Sequence, residues 1–202
     1  MRAGKGWRLA AFLVLVVLCG CGEVREYVDM ASDRDLSPAY FQALSAWTRE
    51  QTVYSQFETR IRVAATLQSP EFRKAYVQEY ARNHDWGQDS IRMREEAAES
   101  TDRDFLEFKL YVYTPEKTDN DLDGPRSTWT VFLVDGQGRK TTPREIRRID
   151  DLSATTLAFY PYVRPYYGIF YSVKFHPPAE GEALIPLRLV LTSVKGRAEL
   201  AW

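Results

Sequence analysis

The sequence predicts an α+β fold, an antiparallel β-sandwich with two or three helices inserted near its N-terminus. Helix-type patterns lie before residue 104, whereas short alternating segments separated by turn residues dominate the rest of the chain. A series of short strands with regular turn signals is typical of β-sandwiches and barrels, including the immunoglobulin-like arrangement. An open α+β sheet is the alternative fold.

Two Ser-Pro pairs predict the starts of the first helices. A serine can cap a helix while the following proline occupies its first turn, as Ser37-Pro38 and Ser69-Pro70 would. The first pair precedes an apolar face that extends to Trp47, and the second precedes a stripe that ends near Arg82. The segment Gln88 to Glu99 is polar and helix-prone, so we expect a third helix there.

Alternating apolar and polar residues predict the strands. Val53 to Leu67 has the pattern of one long half-buried strand, with Val53, Phe57 and Ile61 facing inward. Asp135-Gly136 indicates a hairpin with a type I′ turn, and Lys195-Gly196 would join the last two strands. The other predicted strands are Leu106 to Val112, Trp129 to Val134, Thr155 to Tyr160, Tyr167 to Phe175, Leu184 to Thr192 and Arg197 to Trp202.

The N-terminus has the pattern of an export signal. Three basic residues precede an unbroken apolar run from Leu9 to Leu18, which is too short to span a bilayer of about 30 Å. The run ends in Leu18-Cys19-Gly20-Cys21. This ending resembles the lipobox of bacterial lipoproteins, in which an aliphatic residue and two small residues precede the cysteine. The resemblance implies that residues 1–20 are a signal peptide, cleaved before Cys21.

The same resemblance implies a lipid anchor on Cys21. Its sulfur would carry a diacylglycerol and its new amino group an acyl chain, and two or more chains anchor a protein stably. Because Gly22 stands where an Asp often retains lipoproteins in the inner membrane, the outer membrane is favoured, with the domain on its periplasmic or surface face. We expect residues 21–36 to be the lipidated cysteine and a polar tether, and residues 37–202 to form a single globular domain.

Charge and cysteine content exclude some functions. The net charge of −1 becomes −4 when Arg2, Lys5 and Arg8 leave with the signal peptide. A mildly acidic domain lacks the basic field typical of nucleic-acid binding, so we expect no nucleic-acid partner. After cleavage Cys21 is the sole cysteine, and its sulfur would carry lipid. No intramolecular disulfide and no nucleophilic thiol would remain.

An acidic segment suggests calcium as the one candidate cofactor. Asp119, Asp121 and Asp123 precede Gly124 in the spacing of the first half of a calcium-binding loop of the EF-hand type. The second half departs from that pattern, because Thr130 stands where a bidentate glutamate is required. A solvated hairpin loop has the same composition, and both interpretations stay open.

An aromatic segment is the candidate partner-binding surface. Tyrosine and arginine dominate binding hot spots, and this chain places Tyr160, Tyr162, Arg164 and Tyr166 close together between prolines. Tyrosine rings also stack on sugars, so an envelope protein or a glycan is the expected partner. The alternative is that alternate members of this segment pack in the core.

Catalytic chemistry has little support in the sequence. The chain has two histidines, His84 and His176, which form no close pair, and it lacks a nucleophile elbow. We therefore expect a non-enzymatic interaction or structural module rather than an enzyme. The alternatives are a calcium-dependent binding module and a peptidoglycan-active hydrolase. The hydrolase would use two carboxylates from Glu95, Glu96, Glu99, Asp102 and Asp104.

Overall fold

The computed structural model describes residues 36–177 and 185–202. The predicted signal peptide, the predicted lipidation site Cys21 and residues 21–35 of the predicted tether lie outside the described residues, so the anchor stays a prediction. In the part of the chain that is described, no helix is long and apolar enough to cross a bilayer.

The helices begin where side chains can cap them. Ser37 Oγ accepts a hydrogen bond from Tyr40 N at 3.2 Å, and Ser69 Oγ accepts one from Phe72 N at 3.1 Å. Both Ser-Pro predictions are therefore confirmed. The described helices are α1 (Pro38–Trp47), α2 (Pro70–His84), α3 (Gln88–Asp104) and α4 (Ala154–Phe159), with a 3₁₀ turn at Lys117–Asp119.

The described strands form two antiparallel sheets that pack as a sandwich, which confirms the predicted fold class. One sheet has the order β1-β2-β3-β7-β6 and the other the order β5-β4-β8-β9. The strands are β1 (Thr48–Ser55), β2 (Glu58–Leu67), β3 (Leu106–Tyr113), β4 (Thr130–Val134), β5 (Lys140–Thr141), β6 (Glu145–Arg148), β7 (Ile169–Phe175), β8 (Arg188–Ser193) and β9 (Gly196–Ala201).

The five-stranded sheet is buried on both faces along β2, β3 and β7. Its inner face packs on the other sheet around residues such as Phe108 and Leu189. Its outer face, which includes Ala64, is covered by the helices through Tyr40 and Phe72. Burial on two faces explains why β3 is buried at nearly every position, although apolar residues alternate with Glu107 and Lys109 in its first half.

The predicted single strand from Val53 to Leu67 is wrong, because the chain reverses at Gln56 and Phe57 to make the β1–β2 hairpin. A two-residue turn would normally shift the alternation of the second strand by one residue. A β-bulge beside Arg60 shifts it back, so that Val53 pairs with Ile61 and the alternation continues unbroken in the sequence. Phe57, expected inward, is fully exposed at the tip.

The tip of this hairpin contains a testable source of strain. Gln56 and Phe57 have φ values of 52° and 69°, the left-handed region that asparagine and glycine favour. Because Phe57 makes no buried contact, we expect Phe57→Gly to raise the free energy of unfolding by roughly 0.5–1 kcal/mol in urea titrations. Val194→Gly, at an exposed tip without positive φ, should instead lower it. A destabilised Phe57→Gly protein would contradict this account.

Two further predictions of local structure are corrected. Thr155 to Tyr160 is not a strand, because Ser153 Oγ accepts a hydrogen bond from Thr156 N at 3.1 Å and starts α4. The β4–β5 hairpin exists, but its positive φ lies at Gly138 rather than at a type I′ turn on Asp135-Gly136. The β8–β9 hairpin is confirmed, with Ser193 paired to Gly196.

Candidate functional site

An open cleft of about 370 Å³ lies on the outer face of the five-stranded sheet. It lies near the end of the sheet where β1 and β3 finish and β2 begins. Thr52, Arg62 and Tyr113 form one cross-strand row there. The cleft is lined by Thr52, Tyr54, Thr59, Arg62, Tyr111, Tyr113, Arg164 and Tyr167.

The loop that follows α4 forms one wall of the cleft. The backbone N–H groups of Tyr167 and Gly168 both donate to the Arg164 carbonyl oxygen, at 3.0 and 3.1 Å. The Tyr111 hydroxyl donates to the same oxygen at 3.2 Å, which ties the loop to β3. Arg164 and Tyr167 are therefore presented on a turn that the sheet itself positions.

The predicted partner-binding residues divide into two groups. Tyr160 is buried and its hydroxyl donates to Gln68 Oε1 at 3.3 Å. Tyr162 is half-buried, and its hydroxyl lies 2.8 Å from Thr66 Oγ1. Burial raises the pKa of both phenols. Both tyrosines thus pack into the hydrophobic cluster on the outer face of the five-stranded sheet, as the alternative interpretation held, and their assignment to a binding surface stays a prediction without structural support.

Arg164 and Tyr166 are exposed, as a binding surface requires. Tyr166 has 88% of its surface accessible and adjoins Tyr167, a wall of the cleft. The sequence did not indicate the contribution of Tyr54 and Tyr113, because they lie on strands distant from the loop in the chain. Their proximity to the loop depends on the pairing of β1 with β2 and of β2 with β3.

The cleft is cationic and aromatic. Burial raises the pKa of Tyr111, and the nearby Arg62 and Arg164 guanidinium groups act in the opposite direction. Arg62 forms an ion pair with Glu50 at 3.2 Å, whereas Arg164 has no ion-pair partner in residues 36–177 and 185–202. Of the described side chains, no carboxylate lines the cleft. The arrangement can stack flat rings and donate hydrogen bonds to anionic or carbonyl oxygens.

The three aspartates proposed as calcium ligands do not converge. Asp119 forms an ion pair with Lys195, and Asp121 Oδ1 accepts hydrogen bonds from Thr128 N at 3.0 Å and Ser127 Oγ at 3.2 Å. Asp123 is exposed. In the described ranges, no group of three or more His, Cys, Asp or Glu side chains could hold a metal ion. The geometry thus favours the plain acidic turn, and calcium stays a hypothesis without structural support.

A second cavity, also about 370 Å³, contains a buried charge network that the sequence did not indicate. It lies between the helices and β3. Glu107 accepts hydrogen bonds there from Arg73 Nη2 at 3.0 Å, Lys109 Nζ at 2.6 Å and Ser172 Oγ at 2.5 Å. Burial alone would raise the pKa of Glu107, but these partners lower it to about 2. The network links α2 to β3 and β7.

No family model matches this chain, and no curated protein or solved structure is significantly similar to it.

Proposed function

We propose that this chain is a lipid-anchored cell-envelope protein that acts as a non-enzymatic interaction module. Its anchor is Cys21 and its location is the outer membrane, on the periplasmic or surface face. The resemblance of Leu18-Cys19-Gly20-Cys21 to a lipobox supports the anchor. The mild charge of the mature chain and its scarcity of catalytic groups support an interaction role.

The observation that carries the binding role is the composition of the cleft. Four tyrosines and two arginines line it, and the side chains described there include no carboxylate. Tyrosine supplies a large contact area at a low cost in conformational entropy, and arginine supplies a planar fork of hydrogen-bond donors, which makes both residues frequent in hot spots. The partner that this surface suits is an envelope glycan or a protein segment with carbonyl or anionic groups.

One experiment tests the anchor and the cleft together. The full precursor is expressed in a diderm bacterium and purified from membranes, and the mass of its N-terminal peptide reports lipidation at Cys21. Purified peptidoglycan and lipopolysaccharide are then offered to the wild type and to Arg164→Ala. We expect lipidation and glycan retention, and we expect Arg164→Ala to weaken retention about tenfold.

The matched control is Arg148→Ala. Arg148 is another exposed arginine, but it lies on β6 outside the cleft and forms an ion pair with Asp150 at 2.7 Å. The Arg148→Ala protein should retain glycan as well as the wild type does. Equal loss in both variants would show that binding depends on general charge and would contradict the cleft. An unlipidated N-terminus would contradict the anchor. Failure to retain either glycan would contradict a glycan partner and would favour a protein segment as the partner of the cleft.

A further inference from the structure

The exposed apolar side chains are concentrated at one end of the sandwich. Seven large hydrophobic residues are exposed in the described ranges, and five of them lie at the end that carries the β1–β2 and β8–β9 turns. The two turns lie side by side, because an added Cβ on Gly196 would lie 3.0 Å from Val53 Cγ1, and the loop joins them because Tyr54 and Tyr167 line the same cleft. The five residues, which we call the apolar end, are Tyr54, Phe57, Tyr166, Tyr167 and Val194.

Each of the two hairpins places an apolar residue at its tip. Phe57 and Val194 are completely exposed, at 106% and 101% of their reference surface. Phe57 also has a φ of 69°, which is unfavourable for a side chain with a Cβ. A phenylalanine that is strained and fully exposed does not stabilise the fold. Such strain is typical of functional sites.

The charges beside the two turns do not favour an electrostatic partner, and an exposed cation at this end, Arg164, belongs to the adjoining cleft. Arg60 forms an ion pair with Glu58, and Lys195 forms one with Asp119. Cations and carboxylates near the turns thus neutralise one another in pairs. At the two turns themselves, the apolar side chains of Phe57 and Val194 are therefore the groups that remain available to a partner.

The tether leaves this end free to reach a membrane. The fifteen residues from Cys21 to Asp35 span at most about 50 Å when extended. The longest strand among the described residues, β2 with ten residues, spans about 33 Å. A lipid on Cys21 would hold the domain within that reach of the bilayer, and the surface chemistry of the domain would decide which end faces it.

We infer that the apolar end docks directly on the bilayer that holds the anchor. This inference rests on the proposed lipidation and adds a second membrane contact to it. Phe57 and Val194 enter the boundary of the hydrocarbon, and Tyr54, Tyr166 and Tyr167 lie at the level of the headgroups, where tyrosine is enriched in membrane proteins. The cleft then lies beside the headgroups.

The test uses the mature lipidated protein in vesicles of phosphatidylethanolamine and phosphatidylglycerol. Because lipid blocks the Cys21 sulfur, Tyr166→Cys and Met93→Cys each provide one free thiol for a fluorescent label. Met93 is an exposed apolar residue on α3 and is the control position. Lipids brominated on their acyl chains should quench the label on the Tyr166→Cys protein strongly and the label on the Met93→Cys protein weakly. High salt should change neither result.

Second substitutions identify the inserted residues. Phe57→Gly, which we expect to stabilise the fold, should lower the ratio of docked to undocked protein about tenfold when added to Tyr166→Cys. Val194→Ser should also lower it, whereas Met93→Ser should not. Equal quenching at both label positions, or quenching unaffected by Phe57→Gly, would overturn the docking and leave the anchor intact. A mature N-terminus without lipid would overturn the anchor and the docking together.

Discussion

Replacing Glu107 by glutamine is expected to lower the free energy of unfolding by about 3 kcal/mol. The glutamate is 7% exposed and accepts hydrogen bonds from Arg73, Lys109 and Ser172. Removing one member of a buried ion pair leaves the remaining charge poorly solvated, which is why such substitutions destabilise strongly. Guanidinium chloride titrations of the wild type and Glu107→Gln would measure the difference.

The same network predicts how stability depends on pH. The pKa of Glu107 is lowered from 4.5 to about 2 in the folded chain, so the ionised form favours folding. This stabilisation is complete above about pH 5 and is lost as pH falls toward 2, where the carboxylate takes up its proton in the folded state. The amount lost is about 3 kcal/mol. Unfolding titrations across this range should show a steeper acid decline in the wild type than in Glu107→Gln.

Glu145→Gln is the matched control. Glu145 and Glu107 both pair with Lys174 in the sheet register, on opposite sides of β7. Glu145 is 44% exposed and forms its ion pair with Lys174 at 3.0 Å, so its removal should cost less than about 1 kcal/mol. Similar losses for the two variants would show that the Glu107 network is no stronger than an ion pair at the surface.

The fold was predictable where a local signal determines the structure. Ser37 and Ser69 cap helices through hydrogen bonds to residues three positions ahead, and a short window of sequence contains both partners. The β1–β2 hairpin was missed because two irregularities, a turn and a bulge, cancel in the alternation. At Thr155 and Thr156, β-branched side chains favoured a strand, but the cap on Ser153 determined a helix.

The candidate site was predictable only in part, for a different reason. Tyr160 and Tyr166 belong to one aromatic segment, yet one is buried and the other exposed, and no period in the segment separates them. The difference depends on α4 ending at Phe159 and on Tyr111 holding the loop. Glu107 shows the same limit, since its partners Arg73 and Ser172 lie far away in the chain.

Replacing Gly168 by alanine is the second change from which we expect a large effect. Gly168 connects the wall of the cleft to β7, and its φ lies outside the left-handed region. An added Cβ would lie 2.4 Å from the Val112 carbonyl oxygen and 2.6 Å from Tyr111 Cζ. This carbonyl lies in a central strand and accepts a buried hydrogen bond from Asn120 Nδ2 at 2.7 Å, so it cannot move aside freely, and we expect a loss of about 3 kcal/mol in the free energy of unfolding.

Gly87→Ala separates this steric effect from the general effect of replacing glycine. No atom lies within 4 Å of a Cβ placed on Gly87, and the smaller backbone entropy of alanine in the unfolded chain should make the change neutral or slightly stabilising. The Tyr111 hydroxyl holds the loop through the Arg164 carbonyl oxygen. Because the added methyl group would displace Tyr111, Gly168→Ala should also weaken the binding of any ligand in the cleft. A Gly168→Ala protein as stable as Gly87→Ala would show that β3 and the loop can separate, and the cleft would then be a mobile surface rather than a preformed one.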